Sequence, residues 1–340
     1  MDEILLNLVE NLATPILFLI VAISIYTLGK GADILVEEAV TLSVRWKVPK
    51  VVIGATIVSL GTTLPEATVS VMAAINGNPD LALGNAVGSI ICDTGLILGL
   101  AAILSPLPLD KSMTKRQGSI QFFSGVLLIV ASLPWSHLSD FGMKNGHLSR
   151  TWGFIFLGLL FTYLYRTIKW SKSEKSSEEE IEVDESSNAL VLLKIFGGIA
   201  LVILSSKFLI PTVETIAMRM GIPQSIIAAT LVAFGTSLPE LVTAITAVKR
   251  GHGELAIGNV IGADILNVLF VVGAAASVTP GGLNVPIYFY KLQFPVMLLI
   301  LGLFKIYTIF SKKEIKRWQG AILLGFYIAY TVYSYVGINY

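Results

Sequence analysis

One short pattern occurs twice in this chain, and each copy places a glutamate beside a proline inside an apolar run. At residues 61–66 it reads Gly-Thr-Thr-Leu-Pro-Glu, and at residues 235–240 it reads Gly-Thr-Ser-Leu-Pro-Glu. Each copy is followed at the same interval by Gly-Asn-x-x-Gly, at 84–88 and 258–262. The offset is constant (240 − 66 = 174), and 18 of the 50 pairs between 51–100 and 225–274 are identical. The repeat predicts two structurally related halves with one carboxylate at the same place in each.

Apolar runs of about 20 residues recur along the chain, which is the length needed to cross a bilayer as a helix. The sequence is 54% hydrophobic and only 14% charged, whereas a soluble domain carries about 25% charged residues. We therefore predict an all-α polytopic membrane protein with ten transmembrane helices in two five-helix repeats. The expected spans are 14–40, 50–76, 80–104, 118–134, 150–168, 189–216, 223–248, 254–277, 286–306 and 318–337.

A polar segment separates the two predicted halves. Residues 171–188 are rich in Ser, Glu and Lys and nearly devoid of apolar residues. We predict a first half at 1–170, this acidic, serine-rich linker at 171–188, and a second half at 189–340. The repeated motifs occupy 51–100 in the first half and 225–274 in the second.

The distribution of basic residues predicts the orientation of the spans. Loops that carry more Lys and Arg remain in the cytoplasm. The loops on one side of the predicted membrane contain many Lys and Arg residues. The loops on the other side contain few besides Lys144, Arg150, Arg219 and Lys291. We expect a plasma-membrane protein with a cytoplasmic 171–188 loop and both termini outside. Because five spans is an odd number, the second half starts from the opposite face, so the repeats are inverted. The crowded side has Arg45, Lys47, Lys50, Lys111, Lys115, Arg116, Arg166, Lys169, Lys172, Lys175, Lys249, Arg250, Lys312, Lys313, Lys316 and Arg317.

Inverted repeats are typical of secondary transporters, in which broken helices meet at a binding site near the middle of the membrane. Pro65 and Pro239 have no N–H for the carbonyls of Gly61 and Gly235, so the second and seventh spans are expected to break there. Freed carbonyls inside a membrane are tolerated only where they line a cavity or bind something.

Three acidic side chains, Glu66, Glu240 and Asp93, lie deep in the motif-bearing spans. A carboxylate at the centre of a bilayer is costly, and no basic residue lies at a matching depth in the second, third, seventh or eighth span. The missing positive charge is therefore expected to be a cation from solution. Carboxylates, hydroxyls and carbonyls are hard oxygen donors that suit Ca²⁺ and Na⁺.

The duplicated motifs, spread over ten spans, resemble the calcium/cation antiporter superfamily, specifically its sodium/calcium exchanger branch. The resemblance implies a transporter, not an enzyme, that uses the sodium gradient to move Ca²⁺ by alternating access, without a cofactor. Carried over residue by residue, it implies that Ca²⁺ binds Glu66, Glu240, Thr62 and Thr236. It implies sodium ligands at the Ser59 and Ala233 carbonyls, Thr63, Ser237, Ser89 and both glutamates, with Asp93 and Asn267 flanking the centre and Asp93 a further acidic ligand.

Two positions depart from the family pattern. In the exchangers that this chain resembles, the carboxylate tends to lie in the second copy and the amide in the first, so that Asp93 and Asn267 are a swapped pair. Ala263, next to Asp264, also lacks the hydroxyl that the family usually has there, which Ser89 keeps in the first copy. These departures leave the ion stoichiometry and a potassium requirement open.

Other functions stay open at this stage. A proton/calcium exchanger usually carries an acid after Gly-Asn, where this chain has Ala86 and Val260. A potassium-dependent sodium/calcium exchanger and, more remotely, a cation channel could use the same oxygen ligands. For an antiporter, we expect spans 2, 3, 7 and 8 to form a fixed core and spans 1 and 6 to slide against it. Asp33 of span 1 is expected to lie at the surface between them. Membrane lipid and the ions Ca²⁺, Na⁺, H⁺ and K⁺ are the expected partners.

Overall fold

The chain's computed structural model describes residues 9–135, 145–171, 187–221, 235–311 and 313–336. Over these residues, helices are joined by short turns and two small antiparallel ribbons. The helices are α1 Thr14–Trp46, α2 Lys50–Thr62, α3 Leu64–Ile75, α4 Pro79–Leu104, α5 Lys111–Ser132, α6 Arg150–Ser171, α7 Asn188–Arg219, α8 Leu238–Lys249, α9 Gly253–Val278, α10 Phe289–Phe310 and α11 Arg317–Val336. The strands are β1 Leu107–Pro108, β2 Gly146–Leu148, β3 Leu283–Val285 and β4 Glu314–Ile315.

The length and composition of the helices identify a polytopic membrane protein. Six described helices are long and apolar enough to cross a bilayer, namely α1, α4, α6, α7, α9 and α10. The pair α2 and α3, bent by 45°, would add a seventh. The predicted fourth and tenth spans coincide with α5 and α11, which have 22 and 20 residues but are less apolar. The predicted seventh span begins outside the described residues.

Two helices form the centre of the molecule. Helix α9 is buried along almost its whole length and α4 along most of it, whereas α1 and α6 leave most of their apolar surface exposed. Large side chains such as Phe18, Phe161 and Leu193 are more than half exposed on these outer helices and on α7. A continuous apolar exterior of this kind fits contact with lipid. The motif-bearing helices therefore lie inside, away from lipid.

Close contact between the two halves is made by glycines of α9. A Cβ on Gly258 would lie 2.8 Å from the Cα of Val51, and one on Gly262 would lie 2.6 Å from the Cα of Ala55. Both targets belong to α2, so this Gly-Asn-x-x-Gly segment packs across the halves. Helix backbones approach this closely only where side chains are absent.

Further contacts between the halves frame this core. Strand β1 pairs with β4, Leu107 opposite Ile315, and β2 pairs with β3, Leu148 opposite Leu283. Helices α1 and α7 pack antiparallel along most of their length. Arg219 at the end of α7 donates to Thr14 at the start of α1. Each ribbon and this helix pair therefore join an element of one half to an element of the other.

We expect Gly258→Ala to lower the stability of the protein by about 1–3 kcal/mol, because the added methyl group overlaps the α2 backbone. The measurement is the apparent midpoint of thermal unfolding in detergent. Gly158→Ala on α6 is the matched control, since nothing lies within 4 Å of its Cβ position. The control should be neutral or slightly stabilising; equal midpoints for the two variants would contradict the close approach.

Candidate cation-binding site

Both glutamates of the repeated motif follow a residue with the same backbone conformation. Helix α2 ends at Thr62 and α3 begins at Leu64, with Thr63 between them at φ −80°, ψ −2°. In the second half, Ser237 has φ −86°, ψ 7° immediately before α8. Proline occupies the first turn of both α3 and α8, where its missing N–H costs nothing. Glu66 and Glu240 therefore lie at equivalent places, in the first turns of α3 and α8.

The two glutamates are held by hydroxyls from opposite halves. The Thr63 hydroxyl donates to Glu240 Oε1 at 3.3 Å, and the Ser237 hydroxyl donates to Glu66 Oε1 at 3.5 Å. The donors are 174 residues apart (237 − 63), as are the acceptors (240 − 66). The site is therefore built from two equivalent, crossed contacts and is complete only when both halves are present.

A second crossed pair surrounds the first. Thr62 Oγ1 donates to Asn259 Oδ1 and Thr236 Oγ1 donates to Asn85 Oδ1, each at 3.3 Å. Asn85 Nδ2 also donates to the main-chain oxygen of Glu66 at 3.4 Å. The sequence analysis gave the asparagines of the Gly-Asn-x-x-Gly segments no role of their own and so missed these contacts. Their presence at the same position in both copies was the available signal.

One oxygen of each glutamate is left without a partner. Glu66 and Glu240 are each 1% exposed, and Oε2 of both lacks a hydrogen bond. The buried polar residues of the described part of the chain include no Lys, Arg or His. A buried polar atom without a partner is costly. The two free oxygens therefore mark a place for a positively charged ligand.

Asp93 and Asn267 lie beside the glutamates at equivalent positions. Each begins a π-helical turn, at Asp93–Ile97 in α4 and Asn267–Val272 in α9, and such turns are frequent at functional sites. The polar atoms of both side-chain heads are buried without hydrogen-bond partners. Asp93 lies within electrostatic range of Glu66 and Glu240. Among the described residues, however, no three acidic, His or Cys side chains converge closely enough to hold one metal ion.

The remaining predicted site residues are placed as follows. The Ser59 carbonyl accepts from the Thr63 N–H at 2.9 Å and from the Thr62 hydroxyl at 3.4 Å. Ser89 and Ala263 are buried on α4 and α9. Ala233, predicted to offer a carbonyl to sodium, lies outside the described residues. Tyr163, which sequence reasoning missed, donates its hydroxyl to the Ala55 carbonyl at 3.1 Å and so supports the π-helical turn of α2.

A further buried carboxylate, Asp264 on α9, was noted in the sequence only as a neighbour of Ala263. Its Oδ2 accepts from the Thr94 hydroxyl and from Gln121 Nε2, each at 2.5 Å. The signal that identified the other three acids applied here too, because Asp264 lies deep in an apolar span without a basic residue. It was overlooked because Ile90, and not an acid, occupies the equivalent position of the first half.

The fold and the site define a class of protein: a polytopic helical membrane transporter with a central, oxygen-lined candidate cation site. The sequence model of the family described as "Sodium/calcium exchanger protein" matches residues 16–169 and 190–336. The chain belongs to this family.

Individual relatives match over almost the whole length. The sodium/calcium exchanger MaX1 of Methanosarcina acetivorans is 32% identical, with 93% of this chain and 97% of that protein covered. The inner membrane protein YrbG of Escherichia coli is also 32% identical, with 95% and 97% covered. A solved structure of the sodium-calcium exchanger NCX_Mj, soaked with 10 mM Na⁺ and zero Ca²⁺, is similar with a TM-score of 0.79 at 29% identity, with 93% of this chain and 98% of that chain covered.

We expect Thr63→Val to weaken Ca²⁺ binding about tenfold, because a hydrogen bond to a charged group contributes about 1.5 kcal/mol. Valine keeps the shape of threonine but has no hydroxyl to orient the Glu240 carboxylate. Calorimetric titration of the purified protein with Ca²⁺ measures the effect. Thr68→Val, on helix α3 that begins immediately after Thr63, is the control, since the exposed Thr68 hydroxyl bonds to the Leu64 carbonyl of its own helix. Equal affinities for the two variants would refute the crossed contact.

Proposed function

We propose that this protein is an antiporter that exchanges Na⁺ for Ca²⁺ across the membrane by alternating access. The observation that carries the proposal is the pair of buried glutamates, each with one oxygen fixed by the opposite half and one oxygen free. Two carboxylates balance the charge of one Ca²⁺, and the surrounding hydroxyls and carbonyls provide the additional oxygen ligands that this ion requires. Membership of the exchanger family and the name of the relative MaX1 support the same ions.

The proposed ligands follow the two-fold arrangement of the site. Ca²⁺ binds the carboxylates of Glu66 and Glu240 with Thr62 and Thr236. Sodium ions use the same glutamates, so the two cations compete and the site is loaded with one or the other. The other proposed sodium ligands are the Ser59 and Ala233 carbonyls, Thr63, Ser237 and Ser89, with Asp93 and Asn267 at the centre and Asp93 supplying a further negative charge.

The proposed architecture has ten spans in two inverted five-helix repeats at 1–170 and 189–340, joined by the 171–188 linker. The two separate matches of the family model and the crossed hydrogen bonds between equivalent residues support it. Five spans per half place the halves in opposite orientations. We place the protein in the plasma membrane, surrounded by lipid, with both termini outside and the linker in the cytoplasm, as the loop charges indicate.

Alternating access requires one group of helices to move against another. The tightly packed pair α1 and α7 is the proposed mobile unit, because it lies outside the core and is held together by its own contacts. Glycines 31 and 198 allow the two backbones to approach closely, and Lys194 of α7 forms an ion pair with Glu38 of α1 at 2.6 Å. Such a unit can slide against α2, α3, α4, α8 and α9 as one body.

One cluster of charges ties the mobile pair to the core. Arg250, which follows α8, forms ion pairs with Asp33 at 2.9 Å and with Glu37 at 3.3 Å, both on α1. Asp33 and Glu37 lie in the second half of α1, towards the end that the loop charges place in the cytoplasm. In the proposed mechanism the cluster holds α1 against α8 on that side, and it separates when that side opens.

Replacement of sodium by another coupling ion is the nearest alternative. The sodium/potassium/calcium exchanger 2 of Mus musculus is 31% identical over 155 residues, which cover 44% of this chain and 23% of that protein. The transport experiment therefore includes potassium and proton gradients as separate conditions.

We expect Glu66→Gln and Glu240→Gln each to lower sodium-driven calcium uptake by roughly 100-fold or more, because loss of one partner from a buried charge pair costs about 3–5 kcal/mol. The assay measures uptake of radioactive calcium by proteoliposomes loaded with Na⁺, K⁺ or protons. Glu314→Gln, an exposed substitution in β4, is the control and should retain uptake. Uptake driven by protons and indifferent to sodium would overturn the proposed sodium coupling, and unsaturable flux without a counter-ion would indicate a channel.

We expect Arg250→Gln to shift the conformational equilibrium about fivefold towards the state open to the cytoplasm, because partly exposed ion pairs contribute at most about 1 kcal/mol. Spin labels on cysteines introduced at Trp46 of α1 and Leu104 of α4 report the distance between mobile pair and core. The native Cys92 is buried, so it does not compete for label.

Lys194→Gln is the matched control for the Arg250 variant. Its ion pair with Glu38 joins α1 to α7 and so lies within the mobile pair. The distance distribution in this control should stay that of the wild-type protein. A distribution that moves equally in both variants would contradict the assignment of Arg250 as the tie between pair and core.

A further inference from the structure

A polar cluster next to the exchange site has no role in the proposed function. Asp264 of α9, Thr94 of α4 and Gln121 of α5 meet in the interior, and all three are at most 1% exposed. Besides the two hydrogen bonds to Asp264 Oδ2, Gln121 Nε2 donates to the Thr94 hydroxyl at 2.9 Å. Three helices therefore contribute one polar side chain each to a single contact point.

The hydrogen bonds of the cluster converge on one oxygen of the Asp264 carboxyl group. The Thr94 hydroxyl accepts from Gln121 and donates to Asp264 Oδ2, which receives a second donor from Gln121. Oδ2 is therefore fully engaged, and Oδ1 is the oxygen left to hold a proton or a cation. The Asp264 side chain makes no ion pair with a basic residue among the residues that the structure describes.

Two oxygens of the cluster are left over. Asp264 Oδ1 and Gln121 Oε1 are both buried and have no hydrogen-bond partner. We propose that Asp264, Gln121 and Thr94 form a second cation site, separate from the glutamate pair, that binds a monovalent alkali cation through these free oxygens. The site extends the proposed exchange function, but its existence does not depend on which ions the glutamates exchange.

The composition of the cluster favours a monovalent ion. It offers one carboxylate and neutral amide and hydroxyl oxygens, so one positive charge balances it. Ca²⁺ takes six to eight oxygen ligands and usually more than one carboxylate, and no group of three acidic, His or Cys side chains close enough for one metal ion occurs in the described residues. Na⁺ and K⁺ have the charge and the preference for hard oxygen that the cluster matches.

The internal repeat does not duplicate this cluster. The position equivalent to Asp264 in the first half is residue 90 (264 − 174 = 90), which is isoleucine. Asp264 also lies within electrostatic range of Asp93 at the centre of the exchange site. A cation bound at Asp264 therefore offsets repulsion between these two carboxylates and couples the second site to the first.

The test distinguishes the second site from the exchange site by removing the carboxylates of Glu66 and Glu240. In the double variant Glu66→Gln/Glu240→Gln, the thermal midpoint is measured in NaCl, KCl or choline chloride at equal ionic strength. A cation that binds only the folded protein raises this midpoint. We expect Na⁺, K⁺ or both to raise it by about 3 °C over choline. Adding Asp264→Asn, which keeps the side-chain volume, should abolish the difference.

Further variants keep the test decisive if Asp264→Asn fails to fold. Gln121→Met removes one proposed ligand and should also abolish the alkali-specific shift. Gln117→Met, one turn earlier on α5, is the control and should preserve it, since Gln117 bonds to Thr167 of α6. A midpoint equal in alkali and choline salts, or an alkali shift that survives both Asp264→Asn and Gln121→Met, overturns the second site. Because the double variant lacks both exchange glutamates, these results are independent of calcium transport.

Discussion

The burial of two like charges at one place is the constraint on which this structure depends. Glu66 and Glu240 are enclosed together, and each is oriented by a hydroxyl from the other half of the chain. Proline-induced breaks bring the hydroxyls and carboxylates into the same turns. The glycines of α9 let that helix lie directly on α2, so that the surrounding asparagine can reach Thr62. Without a cation, the arrangement leaves charges uncompensated in a medium that cannot solvate them.

The departures from two-fold symmetry are as informative as the symmetry. The hydroxyl, glutamate and asparagine contacts occur in matched pairs. By contrast, the residue equivalent to Asp93 in the other half is an asparagine, and the residue equivalent to Asp264 is an isoleucine. Equivalent residues hold the proposed Ca²⁺ in a site that looks the same from either side of the membrane. Each unpaired acid adds negative charge to one half only, Asp93 to the first and Asp264 to the second. They are the places where the number and kind of additional ions can be set without altering the calcium ligands.

Much of the site could be predicted from the sequence, because a repeated acid beside a proline in an apolar run has few structural explanations. The buried pair Glu66 and Glu240 and the breaks before them were anticipated on this basis. The hydrogen-bond partners of Asn85 and Asn259 could not be predicted, because a motif shows which residues recur but not which helix each side chain contacts. Asp264 was missed because the candidate acids were chosen from the repeated motifs, and the equivalent residue of the first half is Ile90. Gln121 lies outside both motifs, and only the packing of α5 against α9 brings it to Asp264.

The two short ribbons have a mechanical consequence. Strands β1 and β4 join a loop of the first half to a loop of the second, and β2 and β3 do the same with another pair of loops. The two halves are therefore joined at two loop contacts in addition to their helix packing. In the proposed mechanism these contacts stay formed and hold the core together, while α1 and α7, which belong to neither ribbon, move against it. A binder that contacts both strands of a ribbon is then expected to leave transport intact, whereas a binder that bridges α1 to the core is expected to stop it.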